Sequence, residues 1–463
     1  MRPLALLALV MAASALVPDG HSFRVLTYNI LARSLGSNTI PWVLNVSPQT
    51  KERIEVETGQ PFHAWRRSHV DDEYKRHWHK NFHSGDYAAM RALWGGRVVK
   101  SASDIPAKLK GLKFDEEDKV MYVKGGLPVV ATTLRGVLRR ALGETEGLRL
   151  FAEISDKDAT IYDWAARGPK VFDLCTAGAD VVTLAEYDVH SAKAAYAGPS
   201  LPFAESMARA GYDGAFFTDP LIGRTPPAGL GVFWRKETFE LVEDTDTRVV
   251  ECNSTSGTLS NHDLLETWHP LVVHGAAGVT AMELPAADRR QAAVARLRHK
   301  ASGKTICVVA VHLMTTSRDG PGVTRYPGEV RAGELATVKD IVGNIASKED
   351  AVVLCGDFNT PPGDAHVWRG DVGPGHATGF ADGAFSWGPR TLRDAFEDVH
   401  GWGDASGVCT SKNGDRSLWI DYIFHDGSLA PVDRSDVSAP AGAIPDLVHP
   451  SDHLPLACTF RFV

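Results

Sequence analysis

The chain has 463 residues, 44% hydrophobic and 23% charged, which is the composition of a folded globular protein long enough to bury a sizeable core. Its formal net charge of −8 excludes a protein that coats nucleic acid by bulk positive charge, although a local basic groove remains compatible with it. Six cysteines in a chain of this length exclude a disulfide-built scaffold, and without any C-x-x-C pair a structural zinc site is not expected.

Residues 1–20 are predicted to be a cleaved signal peptide. Arg2 precedes an apolar run from Leu4 to Met11, and Ala13-Ser14-Ala15 is a small-residue cleavage pattern. The run is short for a membrane span. The expected destination is outside the cell or a secretory-pathway compartment, with no stable membrane span after cleavage. One domain is expected over 23–463.

Strand and helix signals then alternate. Phe23 to Tyr28 reads as a strand and is followed by Asn29. The segment 48–158 is charged, aromatic and poor in strand signals, and is expected to be a largely helical insertion. It carries a basic aromatic stretch from His63 to His83, which reads either as a strand-binding surface or as a solvated helix face diluted by Asp71 to Glu73. Pro169 to Cys175 reads as a short helix opened by its proline. Val181 to Leu184 is an apolar strand leading to Glu186, and Ile306 to Val311 is a strand leading to His312. Glu329 to Ala346 places Leu335, Val338, Ile341, Val342 and Ile345 on one helix face. Strands follow at Ala351 to Cys355, Trp419 to Phe424 and Leu456 to Phe462. Cys307, Cys355 and Cys458 fall in apolar runs and are read as buried small hydrophobes, with one bridge open among the others.

The chemistry-bearing residues cluster at strand ends. Gly356-Asp357-Phe358-Asn359 follows a strand, so its carboxylate and amide can face one ligand, although the same residues also make turns. Asp421 interrupts an apolar strand, where a carboxylate needs a partner or a solvent face. Ser451-Asp452-His453 precedes the last strand, and a histidine there can donate to a phosphate oxygen. Each of these, with Asn29, Glu186 and His312, also has a bland reading in which it only satisfies backbone groups. Phosphoester hydrolysis needs a hard cation, an activated water and donors aimed at phosphoryl oxygens, and these residue types supply all three.

Taken in order, the set resembles the endonuclease/exonuclease/phosphatase superfamily, and within it the deadenylase, nocturnin and angel-type subgroup. The likeness rests on TYNILA at 27–32, GLGVFWRKETFEL at 229–241, QAAVARLR at 291–298 and HPSDHLPLACTF at 449–460. It implies a four-layer α/β sandwich with two mostly antiparallel central sheets and outer helices. It implies Mg²⁺, with Mn²⁺ able to stand in, held by Glu186 with Asn29 and Asp452. It also implies that Asp357 deprotonates the attacking water, that Asn359 and His312 contact the phosphate, and that His453 donates to phosphoryl oxygens while Asp421 orients it. The chain departs from the subgroup at Ala185, where glutamine is usual, and over Leu313-Met314-Thr315-Thr316-Ser317-Arg318, where an aromatic and proline stretch is usual.

The expectation is a monomeric Mg²⁺-dependent phosphoesterase. It is first read as an exoribonuclease-like nuclease on RNA or single-stranded DNA. The alternative is a phosphatase or phosphodiesterase of a nucleotide, phosphoinositide or phospholipid head group. A binding protein that has lost catalysis on the same scaffold is disfavoured, because Glu186, Asp357 and His453 are all present.

Overall fold

In the computed structural model of the chain, residues 21–31, 48–65, 113–115, 120–122, 139, 142–157, 160–161, 164–187, 203–218, 229–242, 279–283, 291–313, 327–362, 384–387, 390–397, 408–413 and 416–463 are described. The expected leader, most of the basic aromatic stretch, Met314 to Arg318 and Cys252 lie outside them. Two compact units emerge, one from residues 1–32, 167–223 and 227–463, the other from 33–166 and 224–226.

The first unit contains two large sheets, with strands numbered in chain order. The six-stranded sheet runs Leu429–Arg434 (β17), Leu456–Phe462 (β18), Ser22–Asn29 (β1), Val181–Ala185 (β4), Gly229–Arg235 (β6) and Tyr212–Thr218 (β5). The eight-stranded sheet runs Ala384–Trp387 (β12), Arg390–Asp394 (β13), Asp421–His425 (β16), Ala351–Asp357 (β11), Thr305–His312 (β10), Gln291–His299 (β9) and Phe239–Leu241 (β7), with Val279–Glu283 (β8) also on β9. The hairpin Ser411–Asn413 (β14) and Arg416–Leu418 (β15) stands apart.

The sheets pack face to face. Val25, Val181 and Val232 from one meet Val308, Leu354 and Ile423 from the other in a single apolar cluster. β4, β10 and β11 are buried along almost their whole length, which is why they read VVTLA, TICVVAVH and AVVLCGD rather than alternating. The helix Pro327–Ile345 (α6) adds Leu335, Val338 and Val342 to the cluster. Phe172 of Trp164–Thr176 (α4) and Phe203 of Phe203–Arg209 (α5) meet edge to face, and Phe203 meets Phe233 of β6 in the same way. Among the described residues, the strand pairs of these two sheets are antiparallel except β1 with β4 and β10 with β11. The architecture is the expected four-layer α/β sandwich.

In the second unit, Pro48–Thr58 (α1), Phe62–Trp65 (α2) and Glu144–Lys157 (α3) are joined by polar contacts. Arg53 bonds Glu146, and Thr50 donates to Glu153 at 2.6 Å. Lys113–Asp115 (β2) pairs antiparallel with Val120–Tyr122 (β3).

Several boundaries differ from expectation. α4 begins at Trp164 rather than Pro169, because Arg167 is buried and its tertiary hydrogen bonds hold the extra turn. Pro169 therefore sits inside the helix, where it lacks one backbone hydrogen bond. Trp419 and Ile420 precede β16, so Asp421 opens that strand instead of interrupting it. Gly356 and Asp357 are the last residues of β11, not a turn beyond it. Cys175, Cys307, Cys355, Cys409 and Cys458 are buried free thiols, so neither Cys175 nor Cys409 makes the bridge left open above.

Candidate active site

The two parallel pairs determine where the site lies. Parallel strands share a C-terminal edge, and open α/β sheets present ligand-binding groups there. Asn29 ends β1 opposite Ala185, and His312 ends β10 opposite Asp357. β16 and β18 run antiparallel to β11 and β1, so their starts fall at the same edge. Asp421 opens β16 opposite Asp357, and Ser451-Asp452-His453 leads into β18.

Asn29 and Asp357 are built alike. Asn29 Oδ1 accepts the N–H of Leu31 at 3.1 Å, and Asp357 Oδ1 accepts the N–H of Asn359 at 2.8 Å. Both are side-chain turns that close on the residue two positions on. In each, that residue is left-handed, with φ of 55° at Leu31 and 49° at Asn359. Glu186, directly after β4, has φ of 59° and is the third such non-glycine residue among the described ones. Strain of this kind collects at functional sites. The free halves of the two side chains meet: Asn29 Nδ2 donates to Asp357 Oδ2 at 2.9 Å and to Glu186 Oε1 at 3.3 Å.

Gly356 makes this approach feasible. Its φ is 139°, and a Cβ on it would lie 2.0 Å from the Val311 carbonyl oxygen of the neighbouring strand. Only glycine fits there.

The imidazoles close the network on its other side. His453 Nδ1 lies 2.8 Å from Asp421 Oδ2, and its Nε2 lies 3.7 Å from Asp357 Oδ2. His312 Nε2 is 3.6 Å from the same Asp357 oxygen. All four side chains are buried. Burial pushes Asp357 up to about 7, helped by the nearby carboxylate of Asp421 and opposed by His453. Burial alone would lower His453, but the carboxylates of Asp421 and Asp357 outweigh it and hold the imidazole up at about 10.

Asn29, Glu186, Asp357, Asp421, His453 and His312 are thus brought into one network. Asn359 joins it through its backbone, while its side-chain Nδ2 donates to the Leu313 carbonyl at 3.0 Å. Asp452 is buried, and its carboxylate acts electrostatically on His453 and Tyr28.

The ligand atoms of Asp357, Asp421 and His453 lie within 4.8 Å of one another, close enough to hold a metal ion. His453 turns its Nδ1 to the Asp421 carboxylate at 2.8 Å, so the three also form an ion-paired chain. The partly exposed Glu186 carboxylate offers the hard oxygens that suit a divalent cation; Asn29 turns its Nδ2 to that carboxylate, so only a second lone pair on its Oδ1, which already accepts the Leu31 N–H, could add to them.

Supporting residues were missed by sequence reasoning. Thr410 Oγ1 accepts the N–H groups of Ile420 and Asp421 at 2.9 and 3.0 Å, and its carbonyl takes the N–H of Leu454 at 2.7 Å. Ser451 Oγ donates to the Asn29 carbonyl at 2.6 Å and accepts the N–H of His453 at 3.2 Å. Ser451 had a signal in its motif, whereas Thr410 had none.

The profile of the endonuclease/exonuclease/phosphatase family matches residues 144–453. The chain belongs to this family. Among curated relatives it is 23% identical over 281 residues to Nocturnin of Drosophila melanogaster, covering 54% of this chain and 36% of that protein. It is 25% identical over 296 residues to 2',5'-phosphodiesterase 12 of Homo sapiens, covering 61% and 44%. The matched region thus spans less than half the length of these two relatives. Among solved structures, the human Nocturnin catalytic domain aligns over 65% of this chain and 88% of that chain, with 20% identity and a TM-score of 0.42.

Proposed function

We propose that the chain hydrolyses phosphoester bonds with the help of a divalent cation, Mg²⁺ first among them, and that it acts as an exoribonuclease-like nuclease on single-stranded nucleic acid. The observation that carries this reading is the single network joining Asn29 and Glu186 to Asp357, His453 and Asp421 in a chain of this family. One relative is by name a phosphodiesterase, which supports a diester as substrate.

A cation held by Glu186 and Asn29, with Asp452 nearby, would neutralise the charge that builds on the phosphoryl oxygens. Asp357 takes the proton of the attacking water, and its raised proton affinity near neutral pH suits a general base. His453 stays charged and donates an N–H to a phosphoryl oxygen, while Asp421 fixes the orientation of its ring. Asn359 offers its second amide N–H, and His312 a further phosphate contact. The leader reading puts this activity in the secretory pathway or outside the cell.

The test is a panel of single-stranded RNA, single-stranded DNA, NADP and an inositol phosphate, each with Mg²⁺ or with EDTA. Shortening of RNA that EDTA abolishes is the expected result. Phosphate release from a small substrate with the strands intact would transfer the chain to the phosphatase reading. Turnover that persists in EDTA would remove the cation.

A further inference from the structure

We propose that Arg167 is a positioning residue for this site, holding Asn29 and His453 in register by clamping the two loops that carry them; the proposal rests on the hydrolase reading above. Arg167 lies in the first turn of α4, and its side chain is fully buried. Nη1 donates to the carbonyls of Ile30 at 2.8 Å and Pro450 at 2.9 Å, and Nη2 donates to the carbonyl of Leu31 at 2.9 Å.

These acceptors share one property. Ile30 and Leu31 directly follow Asn29, and Leu31 is the left-handed residue whose N–H holds the Asn29 side chain. Pro450 directly precedes Ser451-Asp452-His453. One guanidinium therefore grips the exit of β1 and the entry to His453 together. The hydroxyl of Ser451 on the Asn29 carbonyl is a second tie between the same loops.

The residue type matters. Carbonyls where a strand ends need donors if they are buried. A guanidinium presents several N–H groups in one fixed plane, so three acceptors held by it cannot move independently. A lysine ammonium carries comparable charge on a flexible stem and imposes no such plane. Burying a guanidinium among backbone carbonyls is expensive, and a helix needing only packing at this position would take an apolar residue.

The test compares the full chain with Arg167→Lys and Arg167→Met. It measures melting temperature, kcat and KM on single-stranded RNA with Mg²⁺, and the ¹⁵N-histidine resonance of the His453 Nδ1–H bonded to Asp421, recorded without metal. Both variants are expected to fold, with kcat down on the order of 100-fold, as a misplacement of about 1 Å in supporting structure produces. KM should stay near its wild-type value, the imidazole resonance should broaden or shift, and lysine should not rescue. Wild-type kcat, or an unmoved resonance, in a folded variant overturns the proposal. Failure of both variants to fold would make Arg167 a determinant of the whole fold and would also overturn a role confined to the site. Should wild-type protein turn over none of the substrates, the hydrolase reading falls, and the resonance alone still judges the clamp.

Discussion

The ends of β1 and β11 are the same piece of backbone carrying different chemistry. Each is the last residue of a strand in a parallel pair, and each folds its side chain back onto the N–H two residues on. In each, the residue two positions on is left-handed, and the two side chains meet at 2.9 Å. One is an amide beside the partly exposed Glu186; the other is a buried carboxylate facing two imidazoles. The amide must donate and the carboxylate must accept, so the contact fixes which arm carries the base. Topology alone would permit either assignment. The difference lies in the surroundings, since burial and Asp421 raise Asp357 toward neutrality.

The strongest way to break this comparison is to exchange the two side chains. Asp357→Asn preserves the turn, because an amide oxygen can still accept from Asn359, but it leaves no base. We expect kcat to fall by about 10² to 10⁴, the range for loss of a general base at a chemical step. The two amides now face each other, so the melting temperature should also fall. Adding Asn29→Asp restores one donor and one acceptor across the contact. In Mg²⁺, which offsets the new carboxylate beside Glu186, the melting temperature should recover while kcat stays down. Recovery of kcat in the double variant would mean that the two arms are chemically equivalent and that their surroundings decide nothing.

Much of this geometry could be read in the amino-acid sequence, for a physical reason. Strands buried on both faces are apolar throughout, so a polar residue where the run stops stands out, as Asn29, Glu186, His312 and Asp357 do. Asp421 was found for the same reason, although the strand starts at it rather than enclosing it. What stayed hidden depends on contacts between distant segments. Gly356 looks like a turn residue until the Val311 carbonyl is placed against it. Arg167 looks like a surface charge near a proline until three carbonyls from two other segments converge on it. Thr410 belongs to no motif and matters only because Ile420, Asp421 and Leu454 all bond to it.

A smaller effect sharpens the Asn29 arm. Glu186→Gln keeps an oxygen for the Asn29 amide to bond but removes the charge. The Mg²⁺ concentration for half-maximal rate should rise at least about 10-fold, because loss of even a partner behind a metal ligand costs about 10- to 100-fold and Glu186 is proposed to hold the cation directly. Saturating Mg²⁺ should recover most of kcat, because the base and imidazoles on the other arm are untouched. The check is an Mg²⁺ titration of the rate, paired with calorimetric Mg²⁺ binding. An unchanged titration would move the cation to the Asp357 side and erase the division of labour between the arms.

The smallest expected effect comes from the joint between the two sides. Ser451 is fully buried, donates to the Asn29 carbonyl and accepts from the His453 N–H. Ser451→Ala leaves both groups without that partner, at a cost of about 1 to 3 kcal/mol of stability, measurable by urea unfolding. Neither reacting side chain is lost, so the rate should fall less than in Glu186→Gln. Because one hydroxyl touches both loops, the Mg²⁺ half-saturation and kcat should shift together by similar small factors. A shift in only one of them would show that the loops are held independently, with the hydroxyl serving a single arm.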